Sequence, residues 1–141
     1  MKVNVFSKET FIKAMESRSI TDETVETFGE YFICIDSTGG PWAHRYFYRT
    51  HPNVIRLVFD DVAQDETKWG NDVQHYFDAK AMVSEQAAEL VSFIKNIPDD
   101  STINICCTKG KSRSVAIASF INNEHHGNQH VLGLLRQAWN G

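Results

Sequence analysis

Prolines are scarce in this chain, three in 141 residues, and cysteines equally so, with two of the three adjacent at Cys106 and Cys107. An odd, small number of cysteines makes no disulfide framework and points to a reducing compartment. No apolar run approaches the roughly 18 residues of a membrane span, and Met1–Lys8 lacks the apolar core of a signal peptide, so a cytoplasmic protein with no membrane partner is expected. Cationic excess is missing too: the net charge is −4, which disfavours nucleic acid as a partner and requires any anionic ligand to be drawn by a local patch. The six histidines show no metal-ligand spacing, and repeats, linkers and low-complexity segments are absent. What remains is an ordinary globular composition, 42% hydrophobic and 23% charged, in a chain long enough to bury roughly two thirds of its unfolded surface as a single domain over 1–141.

Local patterns alternate between strand and helix. Lys2–Phe6 reads as a short strand with Val3 and Val5 on one face; Ser7 is a plausible N-cap for a helix over Lys8–Glu16 that carries Phe11, Ile12 and Met15 on one side. A second short helix or a turn is expected over Asp22–Phe28, ending at Gly29. Tyr31–Asp36 and Asn53–Phe59 read as buried strands, the first broken by Ser37-Thr38-Gly39-Gly40-Pro41. Between them lies Trp42–His51, with Trp42, His44, Arg45, Tyr46, Phe47, Tyr48, Arg49 and His51, read as an amphipathic connector with solvated bases in preference to a substrate rim. Val83, Ala87, Leu90, Val91 and Ile94 mark a helix that starts near Asp78 or Ser84 and stops at Asn96-Ile97-Pro98. Val131, Leu134, Leu135 and Ala138 mark the last helix, after Gly127. This order predicts an α/β domain of three layers, with a central, mostly parallel sheet of four to five strands between helices.

The chemistry concentrates in Thr102–Ile121. A strand with Ile103 and Ile105 enters the polar loop Cys107, Thr108, Lys109, Gly110, Lys111, Ser112 and Arg113, which runs into the small apolar helix Val115–Ile121. Backbone N–H groups at the start of a helix form an anion site, and such a site with nearby cations lowers a thiol pKa from about 8.5 to roughly 3.5–7.5. A cysteine placed there is expected to be a nucleophilic thiolate. Arg113 offers a planar fork for two oxygens of an oxyanion, Gly110 permits a backbone path that a Cβ would obstruct, and Ser114 can offer a hydroxyl to the sulfur. Lysines 109 and 111 would also suit a substrate of higher charge.

The run Cys107-x5-Arg113-Ser114, with Gly110 inside and an apolar strand before it, resembles the signature loop of the cysteine-dependent protein tyrosine phosphatase superfamily. Within it the chain is most similar to the compact dual-specificity-like group and the small bacterial or phage "predicted protein tyrosine phosphatases". The family's usual loop has histidine before the nucleophile; here Cys106 stands in that place. The resemblance implies a phosphotyrosine phosphatase-like fold and hydrolysis of phosphotyrosine on a protein or peptide, with phosphoserine and phosphothreonine as further substrates, through a phosphocysteine intermediate and without metal or organic cofactor. It assigns Cys107 as nucleophile, Arg113 and the loop Thr108–Arg113 as phosphate holders, and Ser114 as partner of the sulfur. It also implies a general acid after an upstream strand. Asp61 is preferred, with Asp60 and Asp72 as alternatives; either Ala63–Lys80 is an insertion that forms a larger lid with Trp69-Gly70 at its hinge or tip, or the acid is Asp65 or Asp72. Competing readings are a weakly catalytic phosphate- or phosphopeptide-binding module, a rhodanese-like sulfur or arsenate enzyme, and a phosphatase of nucleotides, RNA 5′-phosphates or phosphoinositides. Oxidation could link Cys34 to Cys107, although an inert, buried Cys34 is the favoured expectation.

Overall fold

In the computed structural model, described for residues 1–39, 45–62 and 79–141, the chain forms four strands and four helices. They are β1 (Lys2–Ser7), α1 (Lys8–Ser17), β2 (Tyr31–Asp36), β3 (Val54–Val58), α2 (Ser84–Lys95), β4 (Thr102–Cys107), α3 (Arg113–Asn122) and α4 (Gln129–Asn140). The sheet is wholly parallel, in the order β1-β4-β2-β3, within the expected three-layer α/β domain. The last strand in sequence is therefore inserted between the first two, and Lys2–Ser7 pairs in register with Thr102–Cys107.

Strand alternation sorts the core into two layers. Ile33, Ile35, Ile103, Ile105 and Cys107 face α2, α3 and α4, meeting Leu90, Val91, Ile117, Val131 and Leu135. Phe32, Cys34 and Cys106 face the other way, onto Phe11 and Met15 of α1 with Ile20, Val25 and Phe47. Edge-to-face ring pairs knit this second layer, among them Phe11 with Phe32 and Phe32 with Phe47. Residues 45–51 thus behave as the expected connector: Phe47 is buried while Arg45, Tyr48 and Arg49 are exposed. His51 departs from the expectation of solvated bases, because it is buried between Glu26 and Asp22. Trp42 and His44 lie outside the described residues.

The helix signals hold with two adjustments. Ser7 does cap α1, its hydroxyl accepting from Thr10 N at 3.2 Å. The segment Asp22–Phe28 takes the turn alternative, a single 3-10 turn at Val25–Thr27, and the Asp22 carboxylate accepts from the Tyr48 and Arg49 N–H groups and lies against His51. The residue preceding α2 is Val83, half exposed and not on its apolar face; the Gln86 side chain accepts from the Val83 N–H at 3.1 Å, supplying half of a capping box. Asp78 lies outside the described residues. Finally, α3 begins at Arg113, two residues earlier than the apolar pattern indicates, which puts Arg113 and Ser114 in its first turn.

Chain segments leave neighbouring strands toward opposite faces: α1 follows β1 on one side of the sheet, and α3 follows β4 on the other. A crevice beyond the carboxyl ends of the strands is the place where open α/β sheets bind ligands. The ends of β2, β3 and β4 all open onto this one.

Candidate active site

The crevice, about 540 Å³, is lined by Ser37, Thr38 and Gly39 after β2, by Asp60, Asp61 and Val62 after β3, by Ala79, and by Cys107, Thr108, Lys109, Lys111, Ser112 and Arg113. Sequence-distant residues converge as the strand order requires. Cys107 ends β4 and is buried, 1% exposed. Its sulfur lies 3.0 Å from Ser114 Oγ and accepts from the Ser114 N–H at 3.4 Å. Between them the loop turns at Gly110, whose φ is +68°. An added Cβ there would stand 2.5 Å from Ser7 N and 2.7 Å from the Phe6 carbonyl carbon. Glycine is therefore required twice over, by dihedral and by the contact with the end of β1.

Five consecutive backbone N–H groups, Lys109 to Arg113, find no acceptor among the described residues. Arg113 is buried, 4% exposed, and pairs with no carboxylate there. Its Nη1 donates to Phe59 O at 2.7 Å and Ser37 Oγ at 3.1 Å, its Nη2 to Thr108 Oγ1 at 3.0 Å, while Nε is buried without an acceptor. The Ser37 and Thr108 hydroxyls are 3.0 Å apart, so two strand ends hold one guanidinium. A buried cation with neutral partners, an orphan N–H and a row of unbonded backbone donors is a site complementary to an oxyanion.

The two neighbouring aspartates do different things. Asp60 accepts from Thr38 N at 3.0 Å, Thr38 Oγ1 at 2.6 Å and Lys80 N at 2.8 Å, so both of its oxygens are taken. Burial, the largest single influence, pushes its carboxyl up; the bonds from Thr38 and Lys80, with the Arg113 charge, outweigh this and hold it below the ordinary carboxylate value. It serves as an ionised clasp between the segments after β2 and before α2. Asp61 is exposed and, among the described residues, uses only Oδ1, which accepts from Ser112 Oγ at 2.7 Å and Asn128 Nδ2 at 2.8 Å. Asp65, Trp69, Gly70 and Asp72 lie outside the described residues.

Cys106, in the position where the resembled loop has histidine, points into the other core layer. Its thiol is pushed well above the ordinary range, first by its hydrogen bond with Cys34, then by burial, and further by the charges of Cys34, Asp36 and Cys107. It is a neutral packing group, leaving Cys107 as the thiol in the crevice. Near Cys106, Lys8 Nζ donates to Asp36 Oδ1 at 2.7 Å with both side chains buried. This ion pair spans from the start of α1 to the end of β2, across β4.

Ser37, the Phe59 carbonyl and Asn128 went unread as site residues in the sequence. Only Asn128 carries a local signal, Gly-Asn ahead of an amphipathic helix, and that signal announces a cap. A separate hollow of about 340 Å³ among Ile94, Phe120, Ile121, Arg136 and Trp139 has no nucleophile among its described lining residues, and Arg136 there is bonded to Glu124 O and His125. Among the described residues, no helix is long and apolar enough to cross a membrane. Comparison with protein-family models, curated proteins and solved structures returned no match, so the geometry of this crevice is what a functional reading rests on.

Proposed function

We propose that the protein is a cysteine-dependent phosphatase acting on phosphorylated protein side chains, phosphotyrosine foremost. The observation that carries this reading is Arg113: among the described residues, a buried guanidinium without an anionic partner, with an orphan Nε–H, in the first turn of the helix that follows a cysteine loop of unbonded N–H donors. In the first step the Cys107 thiolate attacks phosphorus, forming a P–S bond as the P–O bond to the side chain breaks. A carboxylic acid passes its proton to the departing oxygen. Arg113 and the loop amides hold the three remaining oxygens, and their donors are already in place when charge develops there.

Asp61 is the better acid. Its Oδ2 has no hydrogen bond among the described residues, whereas Asp60 is held ionised with both oxygens engaged. In the second step Asp61, now a carboxylate, takes a proton from water as the water oxygen attacks phosphorus, releasing phosphate and the thiolate, which the Ser114 hydroxyl stabilises.

One observation favours a second reading of the substrate. Lys109 and Lys111 line the crevice, are exposed and form no ion pair among the described residues, as a more highly charged phosphate ester of a nucleotide, RNA 5′ end or phosphoinositide would use.

The experiment is turnover of p-nitrophenyl phosphate from pH 5 to 8. Cys107→Ser is expected to abolish turnover while phosphate still binds. Asp61→Asn is expected to lower kcat about 100-fold or more and to flatten the basic limb of the profile. Full phosphate release by Cys107→Ser would overturn the mechanism. Bound phosphopeptide without any turnover in the wild type would select a binding module instead.

A further inference from the structure

We propose that Asn128 is the positioning residue of Asp61, a latch that ties the segment after β3 to the helices after the cysteine loop and leaves Oδ2 as the oxygen that carries the transferable proton. The inference rests on the phosphatase reading above.

Asn128 is the N-cap of α4, and its side chain is split between two tasks. Oδ1 accepts from Val131 N at 3.1 Å, which is the cap; Nδ2 donates to Asp61 Oδ1 at 2.8 Å, which the cap does not require. The backbone around it is fixed against the loop. Asn128 N donates to Ser112 O at 3.1 Å, and Gly127, at φ +87°, sits so close that an added Cβ would be 2.5 Å from that oxygen and 2.4 Å from Ala116 N. Asn128 thus moves with the first turn of α3, the turn that carries Arg113 and Ser114. Through it, and through the Ser112 hydroxyl, an otherwise exposed aspartate is referenced to the atoms that hold the sulfur and the phosphate.

Two donors on Oδ1 disfavour a proton there, so the protonated acid carries it on Oδ2. Among the described residues, the charged and titratable groups lining the crevice with Asp61 are Asp60, Cys107, Lys109, Lys111 and Arg113; on α4, His130 is tied through Nε2 to Met82 O.

Capping and latching are separable because they use different atoms. Asn128→Asp and Asn128→Ser both keep a capping oxygen. The first replaces the donor to Asp61 with a second carboxylate, and the second shortens the side chain so that no donor reaches. The measurement is the pH profile of kcat and KM for p-nitrophenyl phosphate, with thermal melting of each variant. Asn128→Ser is expected to lower kcat about 10-fold with KM within about two-fold. Asn128→Asp is expected to move the basic limb of kcat up by about one pH unit, since a neighbouring carboxylate disfavours ionisation of the acid. Wild-type profiles in both variants, with melting unchanged, would show Asn128 to be a cap only and overturn the latch. A wild type without turnover would overturn the phosphatase reading and the latch with it.

Discussion

Cys106 and Cys107 are consecutive in one strand, so their side chains leave the sheet on opposite faces and meet opposite fates. Cys107 joins the α3 face at the lip of the crevice; Cys106 is sealed against Cys34, its register partner on β2, beneath α1. The resembled loop carries histidine where Cys106 stands, which invites the thought that restoring it would improve the site. The packing argues otherwise. Cys106 is 4% exposed among Phe11, Phe32 and Cys34, and an imidazole is several atoms larger than a thiol. Overfilling a close-packed layer forces side chains off their rotamers. Cys106→His is expected to destabilise the fold by about 1–3 kcal/mol, read as a lower melting temperature, and to leave turnover no higher than in the wild type. A variant both more active and equally stable would show that the layer can open.

Among the elements, the segment between α1 and β3 is fastened by ions as much as by its aromatic residues. His51 Nδ1 lies 2.6 Å from Glu26 Oε2 and Nε2 2.7 Å from Asp22 Oδ1, with the ring edge-on to Phe47. Glu26, then Asp22, raise the His51 pKa above its ordinary value of 6.5, and burial opposes them without winning. The folded state therefore binds this proton more tightly than the unfolded one. The stabilisation is complete below about pH 6.5 and is lost as pH rises through the raised folded value. Thermal stability should decline across that interval in the wild type, and His51→Gln should remove this part of the decline; an unchanged pH slope in the variant would refute the assignment. Nothing in the sequence announced the cluster, since its members lie up to 29 residues apart and their types are those of an ordinary solvated surface. By contrast β1, β2, β4 and α1 were legible, because alternation, helical period and the Ser7 cap are local signals. The loop was legible for the same reason: Cys107, Gly110, Arg113 and Ser114 are neighbours in sequence. The tether of Asp61 was not, because its partner Asn128 is 67 positions away and is spoken for locally by its cap.

For the molecule as a whole, the sheet acts as a partition. Cys34 belongs to the α1 layer and Cys107 to the α3 layer, so a disulfide between them would have to pass through the strands. Peroxide treatment followed by peptide mapping is expected to show no Cys34–Cys107 link; its appearance in folded protein would contradict this layering. The same sheet order has a consequence in time. Because β4 lies between β1 and β2, the pairing of Asn4 with Asn104 closes across 100 residues, and the cysteine loop leans on the Phe6–Ser7 backbone through Gly110. A growing chain emerging from the ribosome must hold its first strand without this neighbour until β4 has been made. Such long-range closure is slow and leaves strand edges open to other chains. The Cys107 sulfur is thereby set in its loop only when both distant strands are home, and a nascent or truncated chain carries the loop's residues without its shape.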